Sequence, residues 1–232
     1  MSIVISKRLQ AIANMVPECK TAADIGTDHG YLTVWLLENN ICSTAIAADI
    51  NAGPLSKAKE TAETYNMTER ISFRLCDGLA QISENETDVV IIAGMGGETI
   101  EGILSAAPWT KKKKLVLQPQ SKIPELRMWL HENGYMVEDS VLVYDASRYY
   151  VVWRVVSGIE AQPDTLGSYI DKTLKDNHDP LLPGYLSHLI AKNNSVIKGL
   201  SKANSASAEL DEIINLNSEF EKLLKECETW QK

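Results

Sequence analysis

Between residues 21 and 117, short apolar runs alternate with stretches whose apolar residues recur at helical steps. Runs of strand length lie at 21–25, 44–48, 71–75, 88–93 and 114–117, and helix-spaced patterns at 31–40, 54–65 and 98–107. A parallel crossover needs a connection of helix length, so this rhythm predicts a parallel sheet covered on both faces. Residues 124–133 add a further helix, with Gly134 placed to stop it.

The rhythm then changes. Two strand-like runs, 135–144 and 148–156, are separated only by Asp145-Ala146-Ser147. That link is too short for a helix, so the runs pair antiparallel and the last strand is reversed in the sheet. Beyond Gly158, Pro163 and the segment 177–184 with Pro180 and Pro183 predict an elbow. Two helical stripes follow. Leu186, Leu189, Val196 and Leu200 form one, interrupted by Asn193; Ile213, Phe220, Leu224 and Cys227 form the other, interrupted by Asn217. A turn at 203–208 makes them an antiparallel, coiled-coil-like hairpin, favoured over one long dimerising helix because short connections give antiparallel neighbours. The expected architecture is α/β: five parallel strands plus a C-terminal antiparallel hairpin at 1–160, and a small all-α domain at 161–232. A monomer is the favoured oligomeric state.

At 232 residues and 44% apolar, the chain has room for one α/β domain with an appendage. It has no run of membrane-spanning length and no apolar leader. Its four cysteines (Cys19, Cys42, Cys76 and Cys227) show neither metal spacing nor a disulfide framework, which predicts a reduced, cytoplasmic protein without a metal. The net charge of −8 argues against capture of nucleic acid by bulk attraction. A local basic patch remains open, and Lys111, Lys112, Lys113 and Lys114 are the one sizeable run, either a solvated turn or a set of phosphate contacts.

The chemistry concentrates after the first strand, in Asp24-Ile25-Gly26-Thr27-Asp28-His29-Gly30. Strand, glycine loop and helix form the arrangement in which backbone approaches a nucleotide-like ligand. The dinucleotide fingerprint is broken, because Asp28 and Tyr31 stand where it needs glycine. An acid with fewer glycines suits a ligand with a cationic amino-acid tail, and S-adenosylmethionine (SAM) is the candidate. Asp24 is placed to attract its ammonium group, while Gly26 and Gly30 permit close approach. Asp49 ends the second strand, where a carboxylate accepts from ribose hydroxyls. Asp77-Gly78 follows the third, where an acid can accept from an adenine amino group. Each alone is a turn residue; acids at the ends of three consecutive strands are harder to explain that way. The fourth strand ends in Gly94-Met95-Gly96-Gly97, facing the donor, and the fifth in Gln118-Pro119-Gln120, whose amides can read a base edge or satisfy loop backbone.

Asp-Ile-Gly-Thr-Asp-His-Gly-Tyr-Leu at 24–32, Gly-Met-Gly-Gly at 94–97 and Leu-Gln-Pro-Gln at 117–120 together resemble the bacterial tRNA adenine-N1-methyltransferases acting on position 22, a class I methyltransferase family. Ser6-Lys7-Arg8-Leu9 and the C-terminal helical hairpin are similar to it as well. Gly30, where alanine is also familiar, and Gln120, where asparagine is, depart from the pattern without removing a charge. The resemblance implies methyl transfer from SAM to N1 of a flipped adenine in tRNA. Positive charge moves onto the base, so a nearby carboxylate stabilises it. Asp28 is the candidate, with a helix cap as its rival role, and His29 is placed to orient Asp28 or touch RNA, or else is a histidine bonded within the loop. Lys7, Arg8, the 111–114 lysines, Lys122 and Arg148 are candidate tRNA contacts. Tyr149 and Tyr150 are candidates to stack on a base, though strand alternation leaves only one of them outside the core. Residues 161–232 hold 8 Lys+Arg against 11 Asp+Glu, so RNA contact there relies on shape.

Three other readings remain at this stage: methylation of another RNA or a protein, a non-catalytic RNA-binding scaffold, and a nicotinamide oxidoreductase. The broken fingerprint disfavours the last, and the intact set of cofactor acids disfavours the scaffold.

Overall fold

In the computed structural model, which describes residues 2–202 and 208–230, the chain divides into two compact units, Met1–Gln162 and Pro163–Lys232. The first is built on a seven-stranded sheet of order β3-β2-β1-β4-β5-β7-β6. Strands β1 (Cys19–Ile25), β2 (Cys42–Asp49), β3 (Ile71–Leu75), β4 (Val89–Gly96) and β5 (Lys114–Ser121) run parallel. The long pair β6 (Tyr135–Asp145) and β7 (Arg148–Ser157) is antiparallel, and β7 is the strand that meets β5. Ala146 and Ser147 close this hairpin with positive φ at both positions (46° and 61°), the twist a two-residue turn between right-handed strands requires.

Side chains alternate across the strands, so the central ones are buried on both faces. Ala22, Ala47, Ile91, Val116 and Val152 pack under α1 (Lys7–Met15), α2 (Tyr31–Glu38) and α3 (Ala52–Thr64). Val90, Ile92, Leu115, Leu117 and Trp153 point the other way, to the face covered by α4 (Gly97–Ala106) and α5 (Ile123–Glu132). The first helix, absent from the sequence-based expectation, starts at an N-cap Ser6 whose hydroxyl accepts from the backbone N–H of Leu9. It is tethered to the hairpin by Asp145, whose carboxylate accepts from the Arg8 backbone N–H at 3.0 Å. That bond is the main reason the Asp145 carboxyl lies below its ordinary range. Near the end of this unit, Glu160 returns to α5 and pairs with the buried fork of Arg127 at 2.7 and 2.8 Å.

Two strands outrun expectation. β4 and β5 stay paired through the glycines and Pro119 because the register slips on either side of Met95, leaving Gly94 as a bulge with φ +81°.

In the second unit, α6 (Thr165–Tyr169) and α7 (Lys172–Asp176) are too short to leave a periodic signal. Pro183, expected to break the chain, sits in the first turn of α8 (Leu182–Lys202), where its missing N–H has no helical partner to lose. α8 and α9 (Ala208–Trp230) form an antiparallel pair. His178, just before α8, stacks on Trp230 at 4.3 Å, while midway Asn217 exchanges amide bonds with Asn193 and Asn194 at 2.9 and 3.0 Å. The expected turn at 203–208 lies almost wholly outside the described residues.

Candidate active site

Glycine in the loop after β1 lets the chain turn back at once. Gly26 (φ +77°) and Thr27 both donate to the carbonyl of Ala48, and a Cβ on Gly26 would run into the Met95 side chain. Gly30 (φ +70°) begins α2, and its N–H returns to the Thr27 carbonyl at 2.8 Å. The loop forms one wall of a cleft of about 380 Å³ at the carboxyl ends of β1, β2, β4 and β5, a volume in the range of small-molecule sites.

Asp24 lies buried in its floor. The hydroxyls of Thr27 and Thr33 both donate to its Oδ2, at 2.8 and 3.0 Å, which leaves Oδ1 for a ligand. Burial pushes the Asp24 carboxyl above its ordinary range; the two hydroxyls and the Arg8 guanidinium pull against that shift. Asp49 stands at the end of β2 with its Oδ1 fixed by the Asn51 N–H at 2.8 Å. Across from the acids is Arg8. Its Nη1 donates to Gln118 Oε1 at 2.9 Å, and its guanidinium sits 5.8 Å over the Tyr150 ring. Gln118 is buried and oriented by a bond from its own amide to the Pro119 carbonyl, so it serves Arg8 and is withdrawn from base reading.

Asp28 and His29 form the rim. Asp28 has φ +50° and its side chain is 73% exposed, with the His29 ring 3.7 Å away. It does not cap α2: the N-cap is Gly30, which lacks a side-chain bond. Gly94 and Gln120 complete the wall on the β4–β5 side. Met95 covers Gly26 from behind without lining the cleft.

Other expected residues fall elsewhere. Asp77 and Gly78 line a neighbouring, mainly apolar cavity of about 450 Å³ with Thr99 and Ile103. Lys111, Lys112, Lys113 and Lys114 surround a depression at the amino ends of β1, β4 and β5. β5 has eight residues between that edge and the cleft, about 25 Å of strand. Lys112 is moreover paired with Glu84 at 3.1 Å. Lys7 and Arg148 are exposed, Lys122 pairs with Glu125 at 3.0 Å, and Tyr149 packs on its cross-strand partner Tyr144 at 4.7 Å. Sequence reasoning assigned Arg8 to RNA and overlooked Thr27, Thr33 and Asn51. Thr27 carried a local signal, a hydroxyl three residues after the acid; Arg8 reaches the cleft only through packing of α1.

The sheet order, the reversed β7 and an acid-floored glycine loop define a class I methyltransferase domain. The profile of a family described as "Methyltransferase domain" matches residues 5–153. The tRNA (adenine(22)-N(1))-methyltransferase of Bacillus subtilis strain 168 is 39% identical over 156 residues, covering 66% of this chain and 66% of that relative. The crystal structure of the B. subtilis m1A22 tRNA methyltransferase TrmK superposes with a TM-score of 0.80 at 30% identity, over 97% of this chain and 99% of that one. A second, Streptococcus pneumoniae Sp1610 in complex with S-adenosyl-L-methionine, gives 0.80 at 27% identity over 95% and 100%. The chain belongs to the tRNA (adenine-22 N1)-methyltransferase family.

Proposed function

We propose that this protein transfers the methyl group of SAM to N1 of adenine 22 in tRNA, acting in the cytoplasm. The observation that carries the reading is the charge pattern of the cleft in a chain matching that family along nearly its whole length. A buried carboxylate with one uncommitted oxygen suits an ammonium, the guanidinium of Arg8 suits a carboxylate, and Asp49 suits two vicinal hydroxyls. Those are the polar groups of the cofactor's amino-acid tail and ribose. In this reading Arg8 holds cofactor and not RNA.

SAM supplies a methyl group on a sulfonium, ready for displacement. Adenine N1 offers its lone pair without prior deprotonation, so the protein's work is in-line positioning. As the N1–carbon bond forms and the sulfur–carbon bond breaks, the positive charge passes to the base. Asp28 stands at the rim where that charge arrives, and His29 limits its orientation. Water screens an exposed carboxylate, so Asp28 acts fully only once the base covers it. We assign the helical unit, residues 163–232, to holding tRNA by shape.

The test is transfer from labelled SAM to unmodified tRNA by the wild type and by Asp28→Ala, at equal SAM occupancy. Label appears as 1-methyladenosine at position 22, and the variant loses about 10- to 100-fold in kcat while SAM affinity stays within twofold. Unchanged kcat returns Asp28 to a loop-shaping role. Absence of any transfer by the wild type overturns the substrate assignment.

A further inference from the structure

A second concavity adjoins the cleft. It measures about 440 Å³ and runs between the start of α2 and the outer face of α3. His29 and Tyr31 line both spaces, so those rings stand between the two. The rings stack at 5.4 Å with an interplanar angle of 11°, and Tyr31 keeps 44% of its surface exposed. Beyond them the groove is walled by Lys57, Tyr65, two threonines and one acid, Glu60. Lys57 makes no ion pair among the described residues.

Resting on the tRNA reading above, we propose that this groove binds the nucleotide next to the target adenosine, its base against Tyr31 and its phosphate at Lys57. An adenine turned out of its helix drags its neighbours out of regular stacking, and an unstacked base needs a new π-face. A parallel aromatic pair at the rim offers one, in register with the cleft. The hydroxyls of Thr61 and Thr64 donate to the Lys57 and Glu60 carbonyls at 3.0 and 2.8 Å, which leaves their lone pairs to accept from the N–H groups of a base. The net charge of −8 gives the body no general pull on RNA, so a phosphate next to the cleft depends on a local cation. Lys57 is that cation, on the wall of the groove shared with His29 and Tyr31.

The experiment uses the full-length protein and tRNA transcripts with an abasic nucleotide placed in turn on either side of the target. One of the two abasic transcripts raises KM for the wild type about 5-fold or more, with SAM affinity unchanged. Tyr31→Ala raises KM on intact tRNA by a similar factor and is then insensitive to that abasic site. Lys57→Ala raises KM and reduces the slope of log KM against log salt by about 0.7. Lys57→Ala binds SAM as the wild type does, and Tyr31→Ala, whose ring also lines the cleft, keeps the cooperative melting transition of the wild type, which shows that both fold. Transfer that is indifferent to both abasic sites and to Lys57→Ala overturns the groove alone. No transfer by the wild type to any transcript overturns the substrate reading and the groove with it.

Discussion

Asp24 is asked to do two opposed things. Burial in the cleft floor favours its protonated form, while a cationic ligand needs it ionised. With its carboxyl held above the ordinary range, the folded state binds the proton more tightly than the unfolded chain. Its contribution to stability is therefore present below the ordinary carboxylate pKa and is lost as pH rises through the folded value. Asp24→Asn removes that penalty. The amide oxygen can still take both threonine bonds, since both fall on one oxygen. The ligand-free variant melts higher at neutral pH, by about 2–4 °C for each kcal/mol recovered, and its SAM affinity falls about 10-fold or more. In the wild type, SAM binding weakens as pH falls through the raised pKa; a scan of calorimetric affinity against pH checks both signs. The acids of this site were legible in sequence because each ends a strand at a predictable edge. Thr33, nine residues on and inside a helix, was not, and neither was Arg8, whose role depends on how α1 packs.

Elements were legible where one pattern ruled and obscure where two competed. The central strands are apolar on both faces and announce themselves. The carboxyl ends of β4 and β5 hide because glycine and proline argue against strand, yet a bulge keeps them paired. α1 has only Ile12, Ala13 and Met15 as its buried stripe, too few for periodicity to detect. In the helical unit the two asparagines that interrupt the apolar stripes are the ones that meet. Asn217 is buried and bonds two partners, so it fixes the register of α8 against α9 at some expense of apolar packing. Asn217→Ala leaves those amides unpaired. It should speed hydrogen exchange about 5- to 100-fold along α8 and α9, the equivalent of one to two lost part-buried bonds. Peptides from residues 2–162 should exchange as before. Faster exchange throughout the chain would mean the two units unfold as one.

At the scale of the whole molecule, chemistry and tRNA holding are assigned to different units. Every residue lining the cleft assigned to SAM precedes Gln162, and so does the Arg127–Glu160 pair that holds the end of the first unit to α5. The helical unit has its own core, with Leu182, Leu186 and Phe220 fully buried, and Phe220 set edge-on to Tyr169 at 5.6 Å. A chain ending at Gln162 should therefore fold and bind SAM within about threefold of the full-length affinity, since no cleft contact is lost. Its transfer to tRNA should fall by about 100-fold, on the order of the 2–3 kcal/mol that a lost set of interface contacts costs, and the loss should appear in KM for tRNA. A short RNA presenting the target adenine unpaired should recover much of the difference, because it needs neither shape recognition nor extrusion from a stacked helix. Truncation that leaves KM for tRNA unchanged would detach residues 163–232 from RNA recognition. Loss of SAM binding on truncation would show instead that the helical unit is needed to hold the sheet together.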